Sequence, residues 1–392
     1  MAVVGAVAFI VSGRIFGIIE LYVLAGTALA LAGTAFAYVR VRTPRVRVER
    51  SMHPPRVYAG TFSRVDLDLA NLGRRTTPVL QITDAFDGGR RSARFLAPPV
   101  GPRGRRQAAY RLPTDRRGIY DIGPLEVGVA DPFGLASART KGAGVAQLTV
   151  YPKVDRIRPL PQTLGNDPTA GADRPTPLLG AGDDFYALRE YEVGDDTRRV
   201  HWKSTARTGE LMIRQDEMPW QERATILLDV RRHVHSTQSL ELAVSAAASI
   251  FEASSRGGAI VRLISTDGTD SGFSEGHAHA QAILEHLATI GSTRTDHLAA
   301  AASALRKAGN GGALAVITTD LASGTDVETI ARLQTRYGLV TLVMLERSSW
   351  DATAPPSEGA ASTFGIRMVR VTGETPFASA WDRAMLPTKA RA

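Results

Sequence analysis

Residues 224–230 read ATILLDV. A continuous apolar run of this length suits a strand covered on both faces, as in a parallel sheet flanked by helices. The pattern then repeats. Residues 239–254 have helical periodicity, 260–265 read as a strand, and 279–290 and 297–308 as helices. Residues 313–319 are again a strand, 327–337 a helix, 340–345 and 366–371 strands, and 377–385 a closing helix. Repeated βα units predict a mainly parallel, Rossmann-type α/β domain over 223–392, with right-handed crossovers. Ligands of such sheets bind beyond the carboxyl ends of the strands.

Upstream the period changes to two. Short alternating runs at 45–49, 64–69, 79–83, 107–112, 125–129 and 147–150 are separated by Gly/Pro-rich turns. Val65, Leu67 and Leu69 alternate with Asp66 and Asp68, which buries one face of a strand. This spacing predicts an all-β, immunoglobulin-like sandwich over 43–158. Residues 159–181, rich in Pro, Gly, Asp and Thr, read as a linker.

At the N-terminus, residues 21–39 (LYVLAGTALALAGTAFAYV) carry no charge over nineteen positions, close to the roughly 20 residues needed to cross a bilayer. Tyr22 and Tyr38 mark the two ends, and Arg40, Arg42, Arg45, Arg47 and Arg50 follow. An arginine-rich exit places the following chain in the cytoplasm and residues 1–42 as a transmembrane anchor. Residues 2–12 are apolar but too short to span. They read as the remainder of a first helix in a hairpin that turns at 13–20, as the apolar region of a cleaved signal peptide, or, together with 21–39, as buried core helices.

The formal charge is +8, but residues 40–158 hold 23 Lys and Arg against 10 Asp and Glu, whereas residues 159–392 hold 23 against 28. The basic excess directly after the apolar segment points to an anionic membrane surface as a partner. No nucleic-acid reader motif accompanies it, so nucleic acid is not expected. The absence of cysteine excludes thiolate chemistry and Cys-based metal sites. No P-loop, nucleophile elbow or HExxH motif occurs, which leaves nucleotide hydrolysis and common hydrolase chemistry without support.

The most distinctive stretch is 182–217, GDDFYALREYEVGDDTRRVHWKSTARTGELMIRQDE. Arg189, Glu190, Tyr191, Gly194, Asp195, Asp196, Arg198, Trp202, Lys203, Arg207 and Arg214 supply both charge signs, forked guanidinium donors and a flat indole face. They suit either a buried ion-pair network that fixes the β-domain against the α/β domain, or a docking surface for a partner. Segment 182–222 closely resembles the signature of the bacterial domain-of-unknown-function-58 family. A GRxxGxxEL turn at 13–21, DPFGL at 131–135 and VYP ending at Pro152 add to the likeness. His201 stands where many relatives carry Asp. The resemblance implies a von Willebrand A-like domain at the C-terminal end and a MoxR-type AAA+ ATPase as partner.

Von Willebrand A domains hold Mg²⁺ through a DxSxS motif after the first strand, plus a Thr and an Asp from later loops. Asp229 matches, but Arg231 and His233 replace both serines; Thr295 and Asp320 occupy the remaining places. A guanidinium there would repel a dication. The favoured reading is therefore no cofactor, with strand-end carboxylates satisfied by Arg231 and nearby amides. His233, His235, His277 and His279 read as solvated. The expectation is a membrane-anchored, non-catalytic scaffold acting with the ATPase. A metal-dependent adhesion module and an unrecognised hydrolase are the alternatives.

Overall fold

The computed structural model describes residues 2–161, 188–191, 197, 200–214, 223–294, 297–308, 312–351, 354 and 366–386. Contacts divide the chain into a unit ending at Lys153 and a second beginning at Val154, with residues 284–290 grouped with the first.

The first unit opens with two helices, α1 (Ala2–Phe16) and α2 (Ile19–Arg42). Gly17, at φ 68°, makes the sharp turn between them, and Ile18 N–H donates to the Gly13 carbonyl at 3.2 Å. A Cβ on Gly13 would approach the Tyr22 ring to 3.1 Å, so a small residue is needed where the helices meet. The two helices form a hairpin, as one reading of residues 2–20 expects, but the turn is confined to residues 17 and 18 instead of spanning 13–20, because α1 runs through Phe16 and α2 begins at Ile19. At 24 residues, α2 is about 36 Å long, and it is the one described helix long and apolar enough to cross a membrane. Large apolar side chains on both helices, among them Val4, Phe16, Ile19 and Phe36, are exposed.

Nine strands follow: β1 (Val46–His53), β2 (Arg56–Tyr58), β3 (Ser63–Asn71), β4 (Leu80–Phe86), β5 (Arg91–Ala97), β6 (Arg105–Leu112), β7 (Gly118–Ala130), β8 (Ser137–Ala143) and β9 (Ala146–Tyr151). They form a sandwich of a three-stranded sheet, β1-β3-β6, and a six-stranded sheet, β2-β9-β7-β4-β5, with β8 also on β7. Val65, Leu67 and Leu69 from one sheet meet Leu80, Ile82, Leu125, Val127 and Leu148 from the other. The alternation of β3 thus buries the face expected. β2 is only three residues long and β8 has no buried position, so neither carries a readable inward stripe. In β5 Phe95 and Ala97 turn to the core, but the exposed Leu96 between them hides the alternation in the sequence.

One polar cluster pins the two sheets together. Arg50 of β1 donates through Nε and Nη2 to both oxygens of Asp84 of β4, at 3.0 and 2.7 Å. Its Nη1 donates to the carbonyls of Ile122 and Gly144, and the Tyr110 hydroxyl donates to Asp84 at 2.6 Å. The Arg50 and Asp84 side chains are 3% and 0% exposed. Arg50 therefore does not belong to the basic membrane-exit cluster in which the sequence placed it; Arg40, Arg42, Arg45 and Arg47 remain exposed there.

In the second unit five parallel strands form a sheet ordered β13-β12-β14-β15-β16. These are β12 (Arg223–Leu228), β13 (Ile260–Ser265), β14 (Ala313–Thr319), β15 (Leu339–Leu345) and β16 (Arg367–Val371). Numbered within the sheet, the order is 2-1-3-4-5, a doubly wound arrangement whose direction reverses between β12 and β14. Helices α4 (Thr237–Arg256), α6 (Leu298–Ala308), α7 (Gly324–Ala331), α8 (Phe377–Ala384) and the first half of α5 (His277–Thr289) belong to this unit. Every position of β14 is buried, which is why the central strands read as unbroken apolar runs. Gly312, at φ 82°, passes so close to Arg223 that a Cβ would lie 2.3 Å from its carbonyl oxygen. Residues 154–160 belong to this unit. Asp155 N–H donates to Ser249 Oγ, Arg158 N–H to Asp382, and the Trp381 indole to the Arg158 carbonyl. The chain is thus tied down before 159, where the sequence pattern begins the linker; residues 162–181 of that linker lie outside the described residues.

Replacing Asp84 by Ala should destabilise the full-length chain by about 3–5 kcal/mol, because it strands a buried guanidinium. The paired change Arg50→Met with Asp84→Leu should recover most of that loss; thermal unfolding in detergent measures both.

Candidate functional sites

The point where the sheet order reverses is where a ligand would sit. There Asp229 leaves β12 with its side chain almost fully buried. Thr266 Oγ1 donates to one of its oxygens at 3.2 Å and Thr318 Oγ1 to the other at 2.8 Å. Arg231, two residues on, folds back into the same cavity. Its backbone N–H and Nε donate to Asp229 Oδ1 at 3.1 and 3.0 Å, and Nη2 to Oδ2 at 2.8 Å. The same Nη2 reaches Asp326 at 3.0 Å, and the Arg231 side chain is 2% exposed.

Local structure explains the placement. Residues 231–234 form a turn in which Val234 and His235 N–H donate to the Arg231 carbonyl. Arg231 bridges in parallel to Thr293, with Thr293 N–H donating to the Val230 carbonyl at 2.8 Å. Asp326 sits in a capping box at the start of α7: Ser323 Oγ accepts its N–H, and its carboxylate accepts the Ser323 N–H. That one carboxylate therefore caps a helix and meets the guanidinium.

Burial alone would raise the Asp229 pKa. Hydrogen bonds and charge from Arg231 outweigh it and hold the carboxyl below its ordinary range. His235, buried beneath the start of α4 with Nδ1 3.2 Å from Ser239 Oγ, is pushed down to about 4 by burial. It is not the solvated histidine expected of its polar neighbourhood, because the 231–234 turn folds it inward. His233 and His277 are exposed, and His279 contacts the Val261 carbonyl at 3.0 Å.

These residues do not fit a divalent cation. Both Asp229 oxygens are taken by hydroxyls and the guanidinium, whose positive charge lies where a metal would have to be. Asp320, after β14, accepts the Arg347 N–H through Oδ1 at 3.0 Å, while its Oδ2 is buried without a hydrogen-bond partner among the described residues. Thr295 lies outside the described residues. Among the described residues no three His, Asp or Glu side chains group as a metal site. Thr266, Thr318 and Asp326 were missed in the sequence. Thr318 lies only two residues before Asp320, and the SGTD of residues 323–326 is a readable capping box.

The second site is the signature. Strands β10 (Leu188–Glu190) and β11 (Met212–Arg214) pair antiparallel, Arg189 opposite Ile213 and Glu190 opposite Met212. Helix α3 (Trp202–Thr208) lies between them in sequence. His201 caps it through Ser204, and Gly209, left-handed at φ 79°, ends it by donating to the Thr205 carbonyl. Tyr191 N–H donates to the Leu211 carbonyl and His201 N–H to that of Met212, and Thr205 Oγ1 accepts from Met212 N–H. His201 thus acts as a helix cap. Ser204 and Thr205 face inward, so Trp202, Lys203, Ala206 and Arg207 point out, and Trp202 is 70% exposed. Gly194, Asp195, Asp196 and Arg198 lie outside the described residues.

Residues 187–353 match the family model of DUF58, described as a protein of unknown function. The match takes in both sites. No curated protein matches the chain. Among solved structures, the CARDB domain of a Pyrococcus furiosus protein, in complex with di-metal ions, is 15% identical. It aligns over 27% of this chain and 93% of its own, with a TM-score of 0.22. A putative cell surface protein domain from Methanosarcina acetivorans is 14% identical over 27% of this chain and 91% of its own, at 0.21. A beta-glucosidase from Listeria innocua is 12% identical over 27% and 16%, at 0.19. Scores this low carry no argument about this chain.

Two outcomes follow from the Asp229 cluster. Neither EDTA nor added Mg²⁺ should shift the Tm of the wild-type chain, whereas Arg231→Ala should cost about 3–5 kcal/mol by leaving two carboxylates uncompensated. Because the folded His235 value, about 4, lies below the ordinary 6.5, the unfolded chain binds the extra proton between them. That contribution to stability is present above pH 6.5 and is lost as pH falls toward 4, by up to about 3 kcal/mol. His235→Gln should flatten the fall, as read from unfolding across that pH range.

Proposed function

We propose that this chain is a membrane-anchored scaffold or assembly protein without catalytic activity, whose signature segment docks a MoxR-type AAA+ ATPase at the cytoplasmic face. The observation that carries the reading is the outward face of α3. A short helix, capped at both ends, holds an exposed Trp202 beside Lys203 and Arg207 within the segment matched by the DUF58 family. A large exposed aromatic on a helix that also presents two cations has the composition of a binding hot spot. Its charge suits an acidic partner surface, which such cations would steer into place.

The Asp229 cluster supports the non-catalytic part. A carboxylate held ionised by a guanidinium is poorly suited to proton transfer near neutral pH. We read the α/β unit as von Willebrand A-like, with Arg231 standing where relatives of that fold keep a metal. Exposed Arg40, Arg42, Arg45 and Arg47 after α2 support a cytoplasmic position for the rest of the chain.

Tagged full-length protein, captured from membranes of the native host in gentle detergent, should bring down a MoxR-type ATPase. Trp202→Ala combined with Arg207→Glu should cut the recovery by about thirtyfold while leaving Tm unchanged. Capture of no such ATPase by the wild type would reject the partnership.

A further inference from the structure

Where α2 meets the β-sandwich, a cleft of about 480 Å³ is lined by Arg42 and Arg45 on one side and by Arg74 and Arg75 on the other, with no acidic residue in its wall. None of the four forms an ion pair among the described residues, and all four are exposed. The loop carrying Arg74 and Arg75 is built rather than slack. Asn71, 2% exposed, accepts the Gly73 N–H through Oδ1 and donates through Nδ2 to the carbonyls of Arg75, Val100 and Gly101. Leu72 N–H donates to the Arg45 carbonyl at 2.8 Å, which ties the loop to the exit of the helix.

The surroundings are apolar and exposed: Val41 at the end of α2, Leu72 and Val79 in the loop. The β7–β8 turn lies at this same end of the six-stranded sheet, since Gln81 at the start of β4 pairs with Gly128 near the end of β7. There Asp131 accepts the Phe133 and Ala136 N–H groups, fixing a turn that leaves Phe133 70% exposed and Leu135 40% exposed. Guanidinium forks beside exposed aliphatic and aromatic side chains, at the end of an apolar helix, have the make-up of a bilayer–water boundary.

We propose that this cleft binds the phosphate-monoester headgroup of an anionic phospholipid. A monoester offers three strong acceptor oxygens and up to two negative charges, which four forked donors without a carboxylate neighbour can satisfy. Inorganic phosphate shares that chemistry, but the helix end and the apolar rim favour the lipid. The proposal rests on α2 lying in a membrane.

Full-length protein in phosphatidylcholine nanodiscs doped with phosphatidic acid, or with phosphatidylglycerol at matched charge, tests it by native mass spectrometry of retained lipid. Phosphatidic acid should be retained preferentially. Arg74→Gln with Arg75→Gln, and separately Arg42→Gln with Arg45→Gln, should weaken retention by roughly tenfold or more. Arg90→Gln with Arg91→Gln, beyond the far end of β4, should leave it unchanged. Equal retention of both lipids, an unaffected Arg74/Arg75 variant, or displacement by millimolar inorganic phosphate alone would overturn the site. Carbonate washing of native membranes separates the two ideas. A chain that stays in the pellet yet shows no lipid preference refutes only the cleft, whereas release by carbonate refutes the anchor as well.

Discussion

The contact on which the α/β unit depends is that between Arg231 and Asp229. Two opposite charges, both nearly sealed from water, sit at the point where the strand order of the parallel sheet reverses. Desolvating either alone would cost several kcal/mol, so each is tolerable only because the other is present and because hydroxyls and Asp326 satisfy the remaining hydrogen-bonding positions. The pair joins three elements: Thr318 near the end of β14 donates to the Asp229 carboxylate that follows β12, and the Arg231 guanidinium reaches Asp326 at the start of α7. A parallel sheet usually leaves a polar crevice here; in this chain the crevice is filled from within.

The β-sandwich uses the same device differently. Arg50 and Asp84 also form a buried forked pair, but they join two sheets instead of closing a crevice, and Tyr110 completes the carboxylate. In both units an arginine is chosen over a lysine. A planar fork can spread donors among a carboxylate and several other acceptors, while an ammonium acts as a point charge. The two clusters explain how an arginine-rich chain buries part of its charge without leaving cations unpaired.

Periodicity made the α/β unit legible nearly element by element, because a strand buried on both faces has to be apolar throughout: 313–319 as read is β14 as found. It failed for β2 and β8, which are short or without a buried stripe, and for β5, where an exposed Leu96 breaks the apolar–polar alternation. The candidate site was half legible. Asp229 and Arg231 lie two residues apart and could be paired on paper, but Thr266 and Asp326 arrive from 37 and 95 residues away through the fold alone. Arg50 misled because a count of arginines after an apolar helix cannot tell which of them turns inward. His235 misled for the same reason, since polar neighbours in sequence are not neighbours in space. In the signature, the exposure of Trp202 could not be read from composition, because a tryptophan is ordinarily taken for an anchor of the core.

A filled crevice has a consequence for where recognition can happen. An α/β domain that keeps a cation or substrate at the ends of its strands recognises partners there, and its affinity follows the state of that site. With Arg231 covalently part of the chain, the charge at that point does not vary with metal supply, and Asp229 stays ionised down into acidic pH. On the proposed scaffold reading, recognition resides on surfaces that remain open. The described residues offer two of them, the outward face of α3 and the arginine-lined end of the β-sandwich. Both are basic and both pair cations with exposed aromatic side chains, so an acidic protein and an anionic lipid surface are the two kinds of partner that the chemistry of these faces suits.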